Sequence, residues 1–263
     1  LETLGPQGCN ARAIRHPGRT PKKDIVLTHQ DPDAFGAEQT PGHPDARHAN
    51  PARAPVLGSG VSGLVLALCA VTLAAHAIDT WAQANGQALH GYILWAGALV
   101  TAPGALSAPP PPAPLWGLSP YVLHVFVHGG WWHVLLNAGI LLAVGSAAAA
   151  PFGRGILAAT GFLAFYFTCA IAGAGLHALV HINEPTFMIG ASTAVSGVFA
   201  AAGWAGGGRA GMLRLAVPWL LINALIGIAG IFYALPIAWA GHVGGLLAGM
   251  LLYPVFVRVF RRD

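Results

Sequence analysis

HGGWWHVLLNAGILLAVGSAAAA, residues 128–150, decides how the rest of the chain is read. From His133 to Ala150 nothing carries a formal charge. The run approaches the roughly 20 apolar residues that a helix needs to cross a bilayer core about 30 Å thick. Yet His133 and Asn137 lie inside it, four residues apart and therefore stacked on one helical face. Polar groups at such depth need partners, because the hydrocarbon offers none. The stretch thus predicts a membrane helix with a polar interior face, led in by a segment that contains His128.

Working outward, the same chemistry extends over most of the chain. Charged residues are 8% of 263 and hydrophobic ones 55%, with a mean hydropathy of +0.61, whereas a soluble domain carries about 25% charge. From Ala54 to Val257 the formal charges are confined to Asp79, Arg154, Glu184, Arg209 and Arg214, which excludes an ordinary soluble core. Apolar runs at about Val56 to Ile78, His133 to Ala150, Ile156 to Val180, Gly190 to Trp204, Leu213 to Ile231 and Ile237 to Phe256 predict an all-α polytopic membrane protein with six transmembrane helices. Three regions are expected: a disordered charged arm over residues 1–55, the six-helix membrane domain over 56–257, and a basic tail over 258–263. The half-apolar segment Tyr92 to Leu106 is expected to rest on the interface.

Lysine and arginine test the orientation, because short cytoplasmic loops collect them. With six spans, all 13 fall on one side: in the arm, at Arg154, at Arg209 and Arg214, and in the tail. Both termini are therefore expected in the cytoplasm, with the chain multi-pass in a bacterial inner (cell) membrane. A seven-span reading, in which Tyr92 to Leu106 crosses, divides the cations between faces. The net charge of +4 is scattered rather than gathered on a surface, so nucleic acid is not an expected partner. Cys9, Cys69 and Cys169 are far apart with no metal-ligand spacing, so neither disulfide, metal nor cofactor is expected.

The polar residues inside these runs carry the chemistry. Ser192 follows Gly190-Ala191 at the start of the fourth run, and His242 sits beside Gly241, Gly245 and Gly249 on the sixth. Each also has a structural reading: His133 with Asn137 as an interhelical hydrogen-bond pair, Ser192 as small-residue packing, His242 as a core histidine. Taken together, their roles are complementary. The GxxxGxxxG ridge of the sixth run can approach a small-residue face of Ser192, Ser196 and Ala200 closely. His242 could then take the proton of Ser192, whose hydroxyl is too weak a nucleophile unaided. No carboxylate lies nearby, so helix packing is expected to orient the imidazole, leaving a Ser-His dyad. His133, Asn137 and the backbone N–H of Ser192 are candidate oxyanion donors.

HGGWWHVLLN (128–137), GAST (190–193) and GHVGGLLAG (241–249), in that order, resemble the rhomboid intramembrane serine proteases over roughly residues 56–257. The resemblance implies Ser192 as nucleophile, His242 as base, His133 and Asn137 as oxyanion stabilisers, and supporting roles for His128 and Gly190. It also implies cleavage of a transmembrane protein substrate within the lipid bilayer, near the extracytoplasmic side; it leaves the oligomeric state open. Thr193 departs from the family pattern GxSG, placing a β-branched side chain where Gly is usual. A catalytically inactive rhomboid-like protein that binds transmembrane helices is the alternative this departure motivates. A transporter or proton channel built on the histidines fits less well, because the path lacks acidic residues.

Overall fold

The computed structural model describes residues 62–233, 235 and 237–261. The expected arm, the beginning of the first apolar run and the last two tail residues lie outside them. The main elements are α1 (Gly63–Asn85), α2 (Gln87–Gly97), β1 (Leu99–Val100), the single turn α3 (Pro120–Leu123), α4 (Trp131–Ala149), α5 (Ile156–Val180), β2 (Phe187–Met188), α6 (Ser192–Phe232) and α7 (Trp239–Phe260). Among the described residues, five helices are long and apolar enough to cross a membrane: α1, α4 with the 3-10 turn that follows it, α5, α6 and α7.

α6 accounts for the difference from six. Its 41 residues are assigned as one helix, but the backbone leaves helical geometry at Gly207 (φ −168°, ψ 24°) and Gly208 (φ 57°, ψ −147°). Three consecutive glycines make that reversal cheap, since Gly208 occupies a region that side chains disfavour. The two legs, 192–206 and 209–232, then pack side by side. A Cβ on Gly203 would stand 2.7 Å from the Gly211 carbonyl oxygen, and Trp219 Nε1 donates to Ser196 Oγ at 3.1 Å.

α1 differs from its expected position, running to Asn85 rather than stopping at Ile78. The expected run, Val56 to Ile78, stops one residue short of Asp79. That carboxylate is instead inside the helix and buried, bonded to His90 Nδ1 of α2 at 2.7 Å and to Gln83 Nε2 at 3.2 Å. A buried charge persists where it is paired. α2 has 11 residues, about 16 Å of helix, too short to cross.

Burial is inverted relative to a soluble protein. Ile156 is 87% exposed, Trp132 86% and Leu251 71%, whereas His124, Asn137, Ser196 and Asn223 are buried. Such a surface suits lipid and such an interior suits polar partners. α5 runs through the middle of the core, where Phe152, Phe165, Tyr253 and Phe256 meet edge to face at one end. That end also gathers Arg258 and Arg261 along an open groove lined by Pro151, Trp204, Tyr253 and Pro254. Trp204 Nε1 donates there to the Met250 carbonyl at 2.9 Å, an oxygen left without its helical partner because Pro254 has no N–H.

The close helix contact takes a different face from the one expected. Gly245 lies against the backbone of Thr193, and Gly249 against the backbone of Gly197. The small-residue row against the glycine ridge of α7 is therefore Thr193 and Gly197, one position on from Ser192, Ser196 and Ala200. Ser192 lies beside that ridge and reaches His242 of the same helix, and Ser196 is turned towards Trp219.

Candidate active site

The segment before Ser192 is held on both sides by the lead-in to α4. Gly190 N–H donates to the His124 carbonyl at 2.8 Å, and Ala191 N–H to His128 Nε2 at 3.3 Å. Gly190 has φ +108°, and a Cβ there would meet Cε1 and Nε2 of His133, each at 2.6 Å. Both constraints exclude a side chain at this position. Further back, β1 and β2 pair antiparallel, Leu99 opposite Met188 and Val100 opposite Phe187. Thr101 Oγ1 donates to the Glu184 carbonyl at 2.6 Å. The long segment between α1 and α4 is thus stitched to the one that delivers Ser192.

α6 begins at Ser192, so its amide N–H is among the first-turn donors without a partner in the helix. The side chain meets α7: Ser192 Oγ is 2.8 Å from His242 Nε2, and both residues are half-buried. His242 Nδ1 is 2.8 Å from Asn223 Oδ1, on the second leg of α6. An amide therefore faces the imidazole where the sequence reading left orientation to packing alone. Asn223 is buried, and its Nδ2 donates to the Trp219 carbonyl at 2.9 Å. The Trp219 indole lies beside the imidazole, ring centroids 6.2 Å apart at 36°.

The other expected residues lie on α4 and its lead-in. His133 is against Gly190, with its ring 5.0 Å from that of His128. Asn137 is buried and donates through Nδ2 to the His133 carbonyl at 3.0 Å; the second proton of that amide is not used in this bond. His76 of α1 adds a third ring, 6.2 Å from His128 and 4.9 Å from Trp131.

Thr193 is accommodated. Its side chain enters a recess made by glycines: a Cβ on Gly173 would come within 2.7 Å of Thr193 Cβ, and one on Gly241 within 3.1 Å of Cγ2. Its hydroxyl bonds to His124 Nε2 at 2.9 Å, while His124 Nδ1 bonds to the Pro120 carbonyl at 2.8 Å. A carbonyl only accepts, so Nδ1 carries the proton and Thr193 donates to Nε2. Burial pushes the His124 pKa down to about 4, keeping the ring neutral at pH 7 for that role.

Sequence reading missed Asn223, His124 and Trp219. Asn223 had a visible signal, as the one amide in the run from Leu213 to Ile231. His124 gave none, because its partner is the residue that breaks the family pattern.

Such a chain is a polytopic helical membrane protein whose interior holds a hydrogen-bonded serine and histidine from separate helices. The model of the Rhomboid domain family matches residues 115–259. That is more than half of the chain and includes all three motifs, so the chain belongs to the rhomboid family. A comparison with curated proteins finds no match.

Proposed function

We propose that this chain is an intramembrane serine endopeptidase that cleaves a transmembrane protein near the extracytoplasmic side of the bilayer. The observation that carries the reading is the 2.8 Å contact between His242 Nε2 and Ser192 Oγ, within the distance at which a positioned base takes a proton. Nε2 accepts the hydroxyl proton as Oγ attacks the scissile carbonyl carbon. The tetrahedral intermediate expels the amine, which leaves with the proton from Nε2 and generates an acyl-enzyme on Ser192. Water, deprotonated by the same nitrogen, then releases the acid and restores the serine. The Ser192 N–H, His133 and Asn137 serve in this reading as the donors to the developing oxyanion. His128 and Gly190 support them by holding the loop. The chemistry calls on no metal or cofactor.

In this reading the second leg of α6 crosses the bilayer, and the shorter first leg rises from the cytoplasmic side and starts, at Ser192, below the outer surface, giving six membrane helices with α1, α4, α5 and α7. The end bearing Arg154, Arg209, Arg214, Arg258 and Arg261 faces the cytoplasm, as positive-inside bias favours. The substrate is a single-span protein whose helix is readily unwound by small or helix-breaking residues.

Cleavage of a single-span model substrate in proteoliposomes tests this reading. Wild type is expected to cut and Ser192→Ala to leave the substrate intact. Wild type that binds the substrate without cutting it would establish the inactive alternative.

A further inference from the structure

We infer that Asn223 is the third member of a Ser192–His242–Asn223 relay, a positioning residue that selects the tautomer and fixes the ring plane of the base. The inference rests on the proteolytic reading of the same site. It is carried by the way the amide is pinned. Asn223 Nδ2 donates to the Trp219 carbonyl at 2.9 Å. Turning the amide over would set Oδ1 against that carbonyl oxygen, replacing a hydrogen bond with a repulsion between two acceptors. Oδ1 therefore faces His242 Nδ1 at 2.8 Å. An amide oxygen only accepts, so Nδ1 must carry the ring proton. Nε2 is left as a bare lone pair 2.8 Å from Ser192 Oγ, and the hydroxyl is obliged to donate to it. Without Asn223 the ring could place its proton on either nitrogen, and the Nε2-protonated form cannot act as base.

The residue type suits its depth. In acyl transfer the imidazole gains a proton as the serine oxygen attacks, and the amide dipole already points its negative end at Nδ1–H. A carboxylate would do the same at the cost of a permanent charge among apolar helices. Asn223 is buried and four residues beyond Trp219 on one helical face. Trp219 in turn reaches Ser196 Oγ at 3.1 Å, and Ser196 reaches the Ser192 carbonyl at 2.7 Å. The second leg of α6 thereby holds both the base and the turn that bears the nucleophile.

Two variants and two readouts test the inference. Asn223→Leu removes the acceptor and Asn223→Asp keeps one. In the cleavage assay, Asn223→Leu is expected to lower kcat about 10- to 100-fold, the range for losing a hydrogen bond to a group that becomes charged, with KM little changed. Asn223→Asp is expected to recover at least tenfold of that loss. Nitrogen-15 spectra of protein labelled at histidine should show His242 as the Nδ1–H tautomer in wild type and as a mixture in Asn223→Leu. Equal kcat in wild type and Asn223→Leu, or an unchanged tautomer, would overturn the role. If wild type fails to cut at all, the proteolytic reading fails by itself and the tautomer still decides whether Asn223 sets the ring. Should Asn223→Leu not fold, Asn223→Asp alone decides: a loss of the Nδ1–H tautomer there contradicts the inference.

Discussion

Restoring the usual family residue at position 193 is expected to damage this protein. Thr193→Gly deletes the hydroxyl bonded to His124 Nε2 at 2.9 Å and the carbons that fill the recess beside Gly173 and Gly241. The lost hydrogen bond is worth about 0.6–2 kcal/mol between membrane helices, and His124 is left buried with an unmet acceptor. The vacated space adds roughly 1 kcal/mol per missing carbon group where neighbouring backbones cannot collapse, and a glycine in the first turn of α6 adds about 0.5–1 kcal/mol. The sum is about 3–5 kcal/mol, a fall in Tm of about 6–20 °C for a domain of this size. Thermal unfolding in detergent, followed by circular dichroism, measures it. Thr193→Ser, which keeps the hydroxyl, should lose about 1 kcal/mol. Thr193→Val, which keeps the shape, should lose only the hydrogen-bond share. A Thr193→Gly protein that melts at or above wild type would refute the claim that His124, Gly173 and Gly241 have adapted to threonine.

Other substitutions probe the same geometry. In Gly245→Ala the new Cβ collides with the Thr193 backbone, which has no flexible end to yield. α6 and α7 must part by about 1 Å, which is expected to cost about 1–3 kcal/mol and about 100-fold in cleavage. Gly139→Ala, whose Cβ meets nothing within 4 Å, is the matched control and should change stability by less than about 1 kcal/mol. Gly190→Ala must adopt φ +108° and strike His133; cleavage should fall about 100-fold, measured on the same substrate. Trp204→Phe strands the Met250 carbonyl beside Pro254 and should lower stability by about 1 kcal/mol in the same melting experiment.

Much of the fold was legible because a bilayer imposes one strong rule, long apolar runs, and runs three and six show it without ambiguity. One boundary was not. Asp79 looked like the end of a span because its partner, His90, is eleven residues away on another helix. The gap between the fourth and fifth runs was legible, and the structure breaks helical geometry inside it, at Gly207 and Gly208; what composition does not reveal is that a two-residue glycine reversal makes the turn. Within the site, complementarity of residue types suggested Ser192 and His242, and the structure brings them together. Which face of α6 meets the glycine ridge depends on a helix rotation of one residue, about 100°, and Asn223 reaches the imidazole from the second leg, which the sequence does not place beside His242. Thr193 shows the converse limit: a departure from a pattern tells nothing of its accommodation until the opposing residues are known.

The most direct measurement is the site of covalent modification by a fluorophosphonate probe, mapped by peptide mass spectrometry on the detergent-solubilised protein. An adduct on Ser192 in wild type, absent from His242→Ala, is the predicted result. An adduct on another residue, or one on Ser192 that forms equally fast without His242, would contradict a hydroxyl activated by that imidazole.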